Sequence, residues 1–270
     1  MIKSFTFNNK HSFRDFGIVS KSKNRPVSPE PKTVYEELPG MDGDYDFSEA
    51  NPDGRVKYKA RPIDLECSFL QRNMTYLRIR AHEIAAWLDC GEMPLIFDDE
   101  TAAYYLARNS NKLDLETQIA RFGRFTLSFK CRPFAFSVVN SNEQIKFGQG
   151  LICGYGYRLD MVPTIYPISG PTVLNVYNPG RYVKPIIHIN GSCTTLTITS
   201  GSKSLSYNKP LVNSELIIDC SNPMASINGI NVNNDLSGEY IEFGNGDNAL
   251  QISGTGLNFT LTLDFRYLYL

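Results

Sequence analysis

One stretch of this sequence repeats its apolar residues at steps of three and four: Met74, Leu77, Ala81, Ile84 and Leu88. That period describes an amphipathic helix. Asn73 stands before it as a good N-cap and Gly91 after it as a stop. An apolar stripe on a single helix needs a sheet to cover it, and the flanking sequence offers strands. Trp87, the chain's one tryptophan, neighbours the stripe, where core or interface packing is expected.

Around the helix the pattern alternates. Phe5 and Phe7 precede a turn at Asn8-Asn9, and a second apolar group (Phe13, Phe16, Ile18 and Val19) surrounds Gly17. Val56 to Phe69 reads as one long strand or two, Pro94–Phe97 and Ala103–Ala107 as short strands, and Leu113–Gln118 as part of a connection. Phe125, Leu127, Phe129 and Cys131 share one face of a strand that Pro133 is expected to end. A meander with one helix against it is an α+β unit.

Between these strands lies Ser20–Pro31, a polar segment whose Pro26, Pro29 and Pro31 favour an extended arm. Leu38 to Asp46 follows, dense in turn formers and acids. Gly40 and Gly43 there would supply the positive φ of a tight turn.

Near residue 140 the composition changes. Only seven Lys or Arg occur from 141 to 270, while Gly, Asn, Ser and Thr rise, and no helical period survives. Short strand candidates recur between turn signals: Val173–Tyr177, Pro185–Ile189, Thr194–Thr199, Ser214–Asp219, Tyr240–Phe243, Ala249–Ser253 and Phe259–Tyr269. This spacing predicts an antiparallel sandwich or jelly roll. The expected chain is therefore mainly β, with an N-terminal α+β, sandwich-like domain (1–140) and a C-terminal antiparallel β-sandwich (141–270).

Little in the sequence arranges chemistry. Six scattered cysteines form no CxxC pair and read as buried, reduced packing residues. His11, His82 and His188 lie far apart, so neither zinc nor a nucleophile–base pair is indicated. Asp42, Asp44, Asp46 and Glu49 invite a calcium reading, but Gly43 falls too early and no glutamate closes an EF-hand loop. The doublets Gly154/Gly156 and Gly244/Gly246 precede no helix that could cradle a phosphate. No enzyme, cofactor or metal is expected. A formal net charge of -1 gives no electrostatic case for nucleic acid. The opening MIKSFTFNNK lacks a secretory h-region, and no run approaches a membrane span, so folding in a cytoplasm is expected.

Several segments resemble the distal tail protein family of siphophages that infect Gram-positive bacteria. They are His11 to Ile18 (HSFRDFGI), Pro39-Gly40-Met41-Asp42-Gly43, Asn178-Pro179-Gly180 with Lys184–Gly191, Leu216–Cys220, Leu250–Gly254 and the aromatic ending Phe265–Leu270. They occur in the family's order across nearly the whole chain. The proline at 179 departs from the pattern, and Ile145–Pro171 matches none of it.

The resemblance implies a structural, non-enzymatic subunit of the virion tail tip, assembled in the bacterial host cytoplasm. Its first domain would form a ring, hexameric in this family, and its second a galectin-like sandwich outside that ring. The implied partners are copies of the chain itself, the tail tube protein, a tail-associated hub protein and receptor-binding proteins, with DNA only passing through the lumen and no membrane.

For such a ring the expected contact residues are Gly40, Asp42 and Gly43 in the turn and Arg55, Lys57 and Lys59 beside it. The latter, with Arg61, read as a strand with its charges at every second position. A solvated or guarded edge is the expectation, and contact with a neighbour's Asp42 and Asp44 the sharper alternative. A competing class is a glycan-binding adhesion module, with Tyr155, Tyr157, Tyr166, Tyr177 and Tyr182 supplying rings for sugars.

Overall fold

A computed structural model describes residues 4–70, 74–111, 116–119, 122–146, 153–158 and 160–270. It divides into two compact units, Met1–Phe136 with Leu270, and Ser137–Tyr269. The fold is mainly β, as the alternating patterns predicted.

The first unit begins with β1 (Phe5–Phe7) and β2 (Lys10–His11), then α1 (Ser12–Phe16), β3 (Val19–Asn24), β4 (Tyr35–Glu37) and β5 (Asp44–Asp46). It continues with β6 (Arg61–Leu70), α2 (Met74–Leu88), β7 (Met93–Phe97), β8 (Glu100–Asn109), β9 (Glu116–Ile119) and β10 (Phe122–Asn140), whose last residues belong to the second unit. The main sheet runs β2-β1-β7-β8-β10-β6-β3, with β9 also on β10.

The expected helix is α2. Leu77, Ile84, Trp87 and Leu88 are all buried. Its predicted cap, Asn73, lies outside the described residues. Trp87 stacks on Phe16 at 4.5 Å and on Phe5 at 5.9 Å, and its indole N–H donates to the Phe7 carbonyl at 2.8 Å. The stripe thus closes over an aromatic core, and the polar edge of its largest ring has a backbone partner.

The turn Asn8-Asn9 has φ of 47° and 57°, the left-handed values that suit a tight hairpin and that asparagine tolerates. Just beyond it, His11 caps α1. Its Nδ1 accepts the N–H groups of Phe13 and Arg14, while Asp15 accepts the His11 N–H at 2.7 Å. At the other end Gly17, at φ +67°, donates to the Phe13 carbonyl and Ile18 to that of Ser12. This αL glycine is the reason a five-residue helix can stop and re-enter the sheet as β3.

Four expectations about this unit are corrected. Pro133 does not end its strand: β10 continues to Asn140. Pairing with β6 stops at Cys131 opposite Arg61, so the missing N–H of Pro133 removes no bond on that side. Ser20–Asn24 is not arm but β3, paired with β6. Residues 55–60 are not strand; a single bridge joins Pro31 to Tyr58, and β6 starts at Arg61, whose side chain is wholly buried. The charges from Arg55 to Arg61 therefore do not share one exposed face. Within the expected 113–118 connection, residues 116–118 lie in β9; 113–115 are outside the described residues.

The second unit contains β11 (Ile165–Ile168), β12 (Thr172–Asn178), β13 (Ile186–Cys193), β14 (Thr195–Ser200), β15 (Lys203–Tyr207) and β16 (Leu211–Asp219). After these come β17 (Met224–Ile227), β18 (Ile230–Asn231), β19 (Leu236–Gly238), β20 (Gly246–Thr255), β21 (Asn258–Asp264) and β22 (Arg266–Tyr269). Two sheets result, β11-β21-β13-β16-β17-β18 and β12-β20-β14-β15-β19. Ile187, Ile189, Leu216, Leu261 and Leu263 from the first meet Val176, Ile198, Leu250 and Ile252 from the second in one core. Tyr240–Phe243, expected as a strand, makes only the bridge of Phe243 to Val183. The expected single strand Phe259–Tyr269 is two, β21 and β22.

Candidate assembly surface

Between β3 and β6 the chain leaves the sheet. Arg25 opens this excursion, with its guanidinium donating to Asp99 at 2.7 Å and pairing with Glu100. Pro29 is buried. The arm then runs beside residues 57–59: the Lys32 N–H donates to the Lys57 carbonyl at 2.7 Å, and the Lys59 N–H to that of Glu30 at 2.8 Å. Tyr58 packs edge-on against Phe134 of β10 at 5.5 Å, fixing this base to the unit.

Beyond the base, every residue from Pro31 to Phe47 is exposed. Here β4 and β5 form a two-stranded hairpin, with Tyr35 opposite Asp46 and Glu37 opposite Asp44. Its turn holds Gly40 at φ +85° and Gly43 at φ +80°, as the sequence predicted, with nothing within 4 Å of where a Cβ would stand. Val34, Tyr35, Leu38, Met41, Tyr45 and Phe47 all present apolar surface to solvent here. Ser48 bonds pull the Asp46 carboxyl below its usual range. An isolated two-stranded hairpin with no buried face is marginal in water, and these exposed apolar side chains make it the candidate surface for assembly.

The structure places the six predicted residues in two groups. Gly40, Asp42 and Gly43 form the exposed tip; Arg55, Lys57 and Lys59 lie at the base. Lys57 pairs with Asp53, and the Lys59 ammonium donates to Glu30 at 2.6 Å. Both lysines are thus answered within the chain, by acids other than Asp42 and Asp44. Among the described residues no three His, Cys, Asp or Glu side chains gather to hold a metal ion. Arg25, the anchor at the root, was missed by sequence reasoning; only its place before the first proline of the arm could have marked it.

Groups with catalytic potential are engaged elsewhere. His11 caps α1 with its Nε2 3.2 Å from the Asp98 carboxylate, and His188 faces Glu215 at 3.0 Å. Burial pushes the Cys67, Cys131 and Cys220 thiols up to about 12, which removes them as nucleophiles near neutral pH. No described helix is long and apolar enough to cross a membrane. The tyrosines proposed for sugar divide: Tyr155 packs edge-on against Tyr269, Tyr157 against Tyr267, and Tyr182 lies 5.9 Å from the Arg181 guanidinium, while Tyr166 and Tyr177 line a pocket.

Residues 4–131 match the family model of the phage tail protein RIFT-related domain. The chain also shares its fold with the crystal structure of the phage SPP1 protein Dit (gp 19.1), described there as a paradigm of the hub adsorption apparatus in phages that infect Gram-positive bacteria. That likeness has a TM-score of 0.71 at 15% identity and covers 100% of both chains. No curated protein matches the sequence. The resemblance carried by the ordered motifs is borne out by these two findings.

Proposed function

We propose that this chain, whose residues 4–131 match the model of the phage tail protein RIFT-related domain, is a structural distal tail subunit of a long, non-contractile-tailed phage. It acts at the tail tip, where copies close into a ring, six-membered by family resemblance, that joins the tail tube to the hub. Assembly takes place in the host cytoplasm, and the role requires no catalysis.

The observation that carries the ring is the hairpin β4–β5 with its apolar residues exposed on a tethered arm. A closed ring needs a head-to-tail interface, in which one surface of each subunit meets a different surface of the next. The arm from Arg25 to Val34 can reach outward at about 3 Å per residue when extended. Its prolines reduce the entropy lost on docking. A neighbouring subunit would cover the face that the subunit's own fold leaves open. Lys57 and Lys59 hold the arm's base rather than reach across the joint, so the apolar side chains of the hairpin provide the contact.

Native mass spectrometry of the whole chain tests this reading. Closed oligomers of one size, lost on deletion of residues 35–46, are expected. A chain that stays monomeric at micromolar concentration overturns the ring.

A further inference from the structure

β3 is the last strand of the main sheet, and among the described residues only β6 pairs with it. Its other edge therefore turns backbone donors and acceptors to solvent. Lys21 and Lys23 stand two residues apart and are exposed, while Ser20, on the other side of the strand, is buried. Lys23 sits in a bulge, where the register with β6 slips between Ser22 and Asn24. Lysines and bulges are how edge strands turn away stray partners. Neither ammonium makes an ion pair among the described residues, although Glu66 lies opposite Lys21 on β6. Such an edge rejects apolar and basic strands and admits an acidic one.

The hairpin β4–β5 is acidic. From Thr33 to Pro52 the chain carries Glu36, Glu37, Asp42, Asp44, Asp46 and Glu49 and no base. Pairing of Tyr35 with Asp46 and of Glu37 with Asp44 puts these four side chains on one face. The other face holds Val34, Glu36, Tyr45 and Phe47, all exposed, with the Tyr45 and Phe47 rings 4.7 Å apart. One face of the hairpin is thus mainly acidic and the other mainly apolar.

We propose, on the premise that copies close into a ring, that β5 of one copy adds to the free edge of β3 in the next. Asp44 and Asp46 repeat the two-residue spacing of Lys21 and Lys23, so in register each acid faces a lysine on one side of the sheet. Strand faces alternate. That register therefore turns Tyr45 and Phe47 to the side on which Ser20, Leu65 and Cys67 are buried. A slip of one residue would set the acids there instead and the rings beside the lysines. Exposed charge pairs contribute little on their own, so backbone bonds and ring burial hold the strands while the charges fix the register. The contact joins two different surfaces, which is what a head-to-tail ring requires.

Native mass spectrometry and cross-linking of the full chain test the pairing. Lys21→Glu with Lys23→Glu should raise the concentration needed for half assembly about tenfold or more, and adding Asp44→Lys with Asp46→Lys should bring it back. Copies carrying Asp44→Cys or Asp46→Cys, mixed with copies carrying Lys21→Cys and treated with diamide, should give a disulfide-linked dimer that neither variant gives alone. A lysine double variant that assembles like the parent, with no cross-link from either mixture, overturns the pairing and leaves the ring standing. A parent that is itself monomeric overturns both.

Discussion

The guanidinium of Arg25 lies 3.9 Å from the centre of the Phe97 ring, at the point where the arm leaves the sheet. The same group binds Asp99 and Glu100, and the Tyr105 hydroxyl donates to Glu100 at 3.1 Å. A flat cation on a ring face with two carboxylates at its edge is a geometry that guanidinium fits and ammonium does not. Arg25→Ala should therefore cost about 1–2 kcal/mol in urea unfolding, and Arg25→Lys should recover less than half of it. Full recovery by lysine would show that charge alone matters.

At the far end of the arm, the expected cost is of another kind. Gly40 and Gly43 stand in the left-handed region, with open space around both. Valine at either position loses about 1–2 kcal/mol of local turn stability but meets no neighbour. The urea midpoint followed through Trp87 should hardly move, while the oligomer seen by native mass spectrometry should fall apart. Intact rings in Gly40→Val and Gly43→Val would remove the turn from the interface.

Much of this fold was legible because its signals are local. The α2 period and the Asn8-Asn9 turn each act through neighbours in sequence, and both appear where expected. The errors share a different cause. Pro133 reads as a stop, yet it sits where β6 has already ended, a fact that depends on a strand far away in sequence. Arg61 reads as the last of four alternating surface charges but is wholly buried, with a long 3.5 Å contact to the Tyr105 hydroxyl. Of the candidate surface, the glycines could be read and Arg25 could not, because its partners lie on the turn after β7.

Lys59 and Glu30 offer a test of how the arm is held. Their pair is well exposed, at 53% and 67%, so its worth is at most about 1 kcal/mol and salt should weaken it. Lys59→Glu sets two acids against each other across the bridge of Pro31 to Tyr58. Limited proteolysis between residues 25 and 34 should quicken several-fold in that variant. Adding Glu30→Lys should return the rate to that of the parent, and an unrestored double variant would mean that the backbone bonds alone fix the arm.

Trp87 separates packing from hydrogen bonding. Trp87→Phe keeps an aromatic ring near Phe5 and Phe16 but leaves the Phe7 carbonyl without its 2.8 Å donor. A loss of about 1–3 kcal/mol is expected from that bond, against about 3–5 for Trp87→Ala, which also opens a cavity. Thermal unfolding by circular dichroism distinguishes them. Equal losses would place the whole effect in the indole N–H.

Alkali should destabilise the first unit through its thiols. Burial raises Cys67 and Cys131 to about 12 in the folded chain, whereas an unfolded thiol ionises near 8.5. The unfolded state therefore loses its protons first. The contribution is fully present below about pH 8.5 and is lost as pH rises from there toward about 12, at up to about 1.4 kcal/mol per pH unit for each thiol. Trp87 reports on this unit, so the urea midpoint of its fluorescence should drop between pH 8 and pH 10. Cys67→Ala with Cys131→Ala should flatten that drop even though each substitution lowers stability at pH 8. Cys220, equally raised but in the second unit, should leave the Trp87 slope unchanged when replaced by alanine. A double variant whose midpoint still falls as steeply as the parent's would assign the alkaline loss to other groups, the buried Tyr105 phenol first among them.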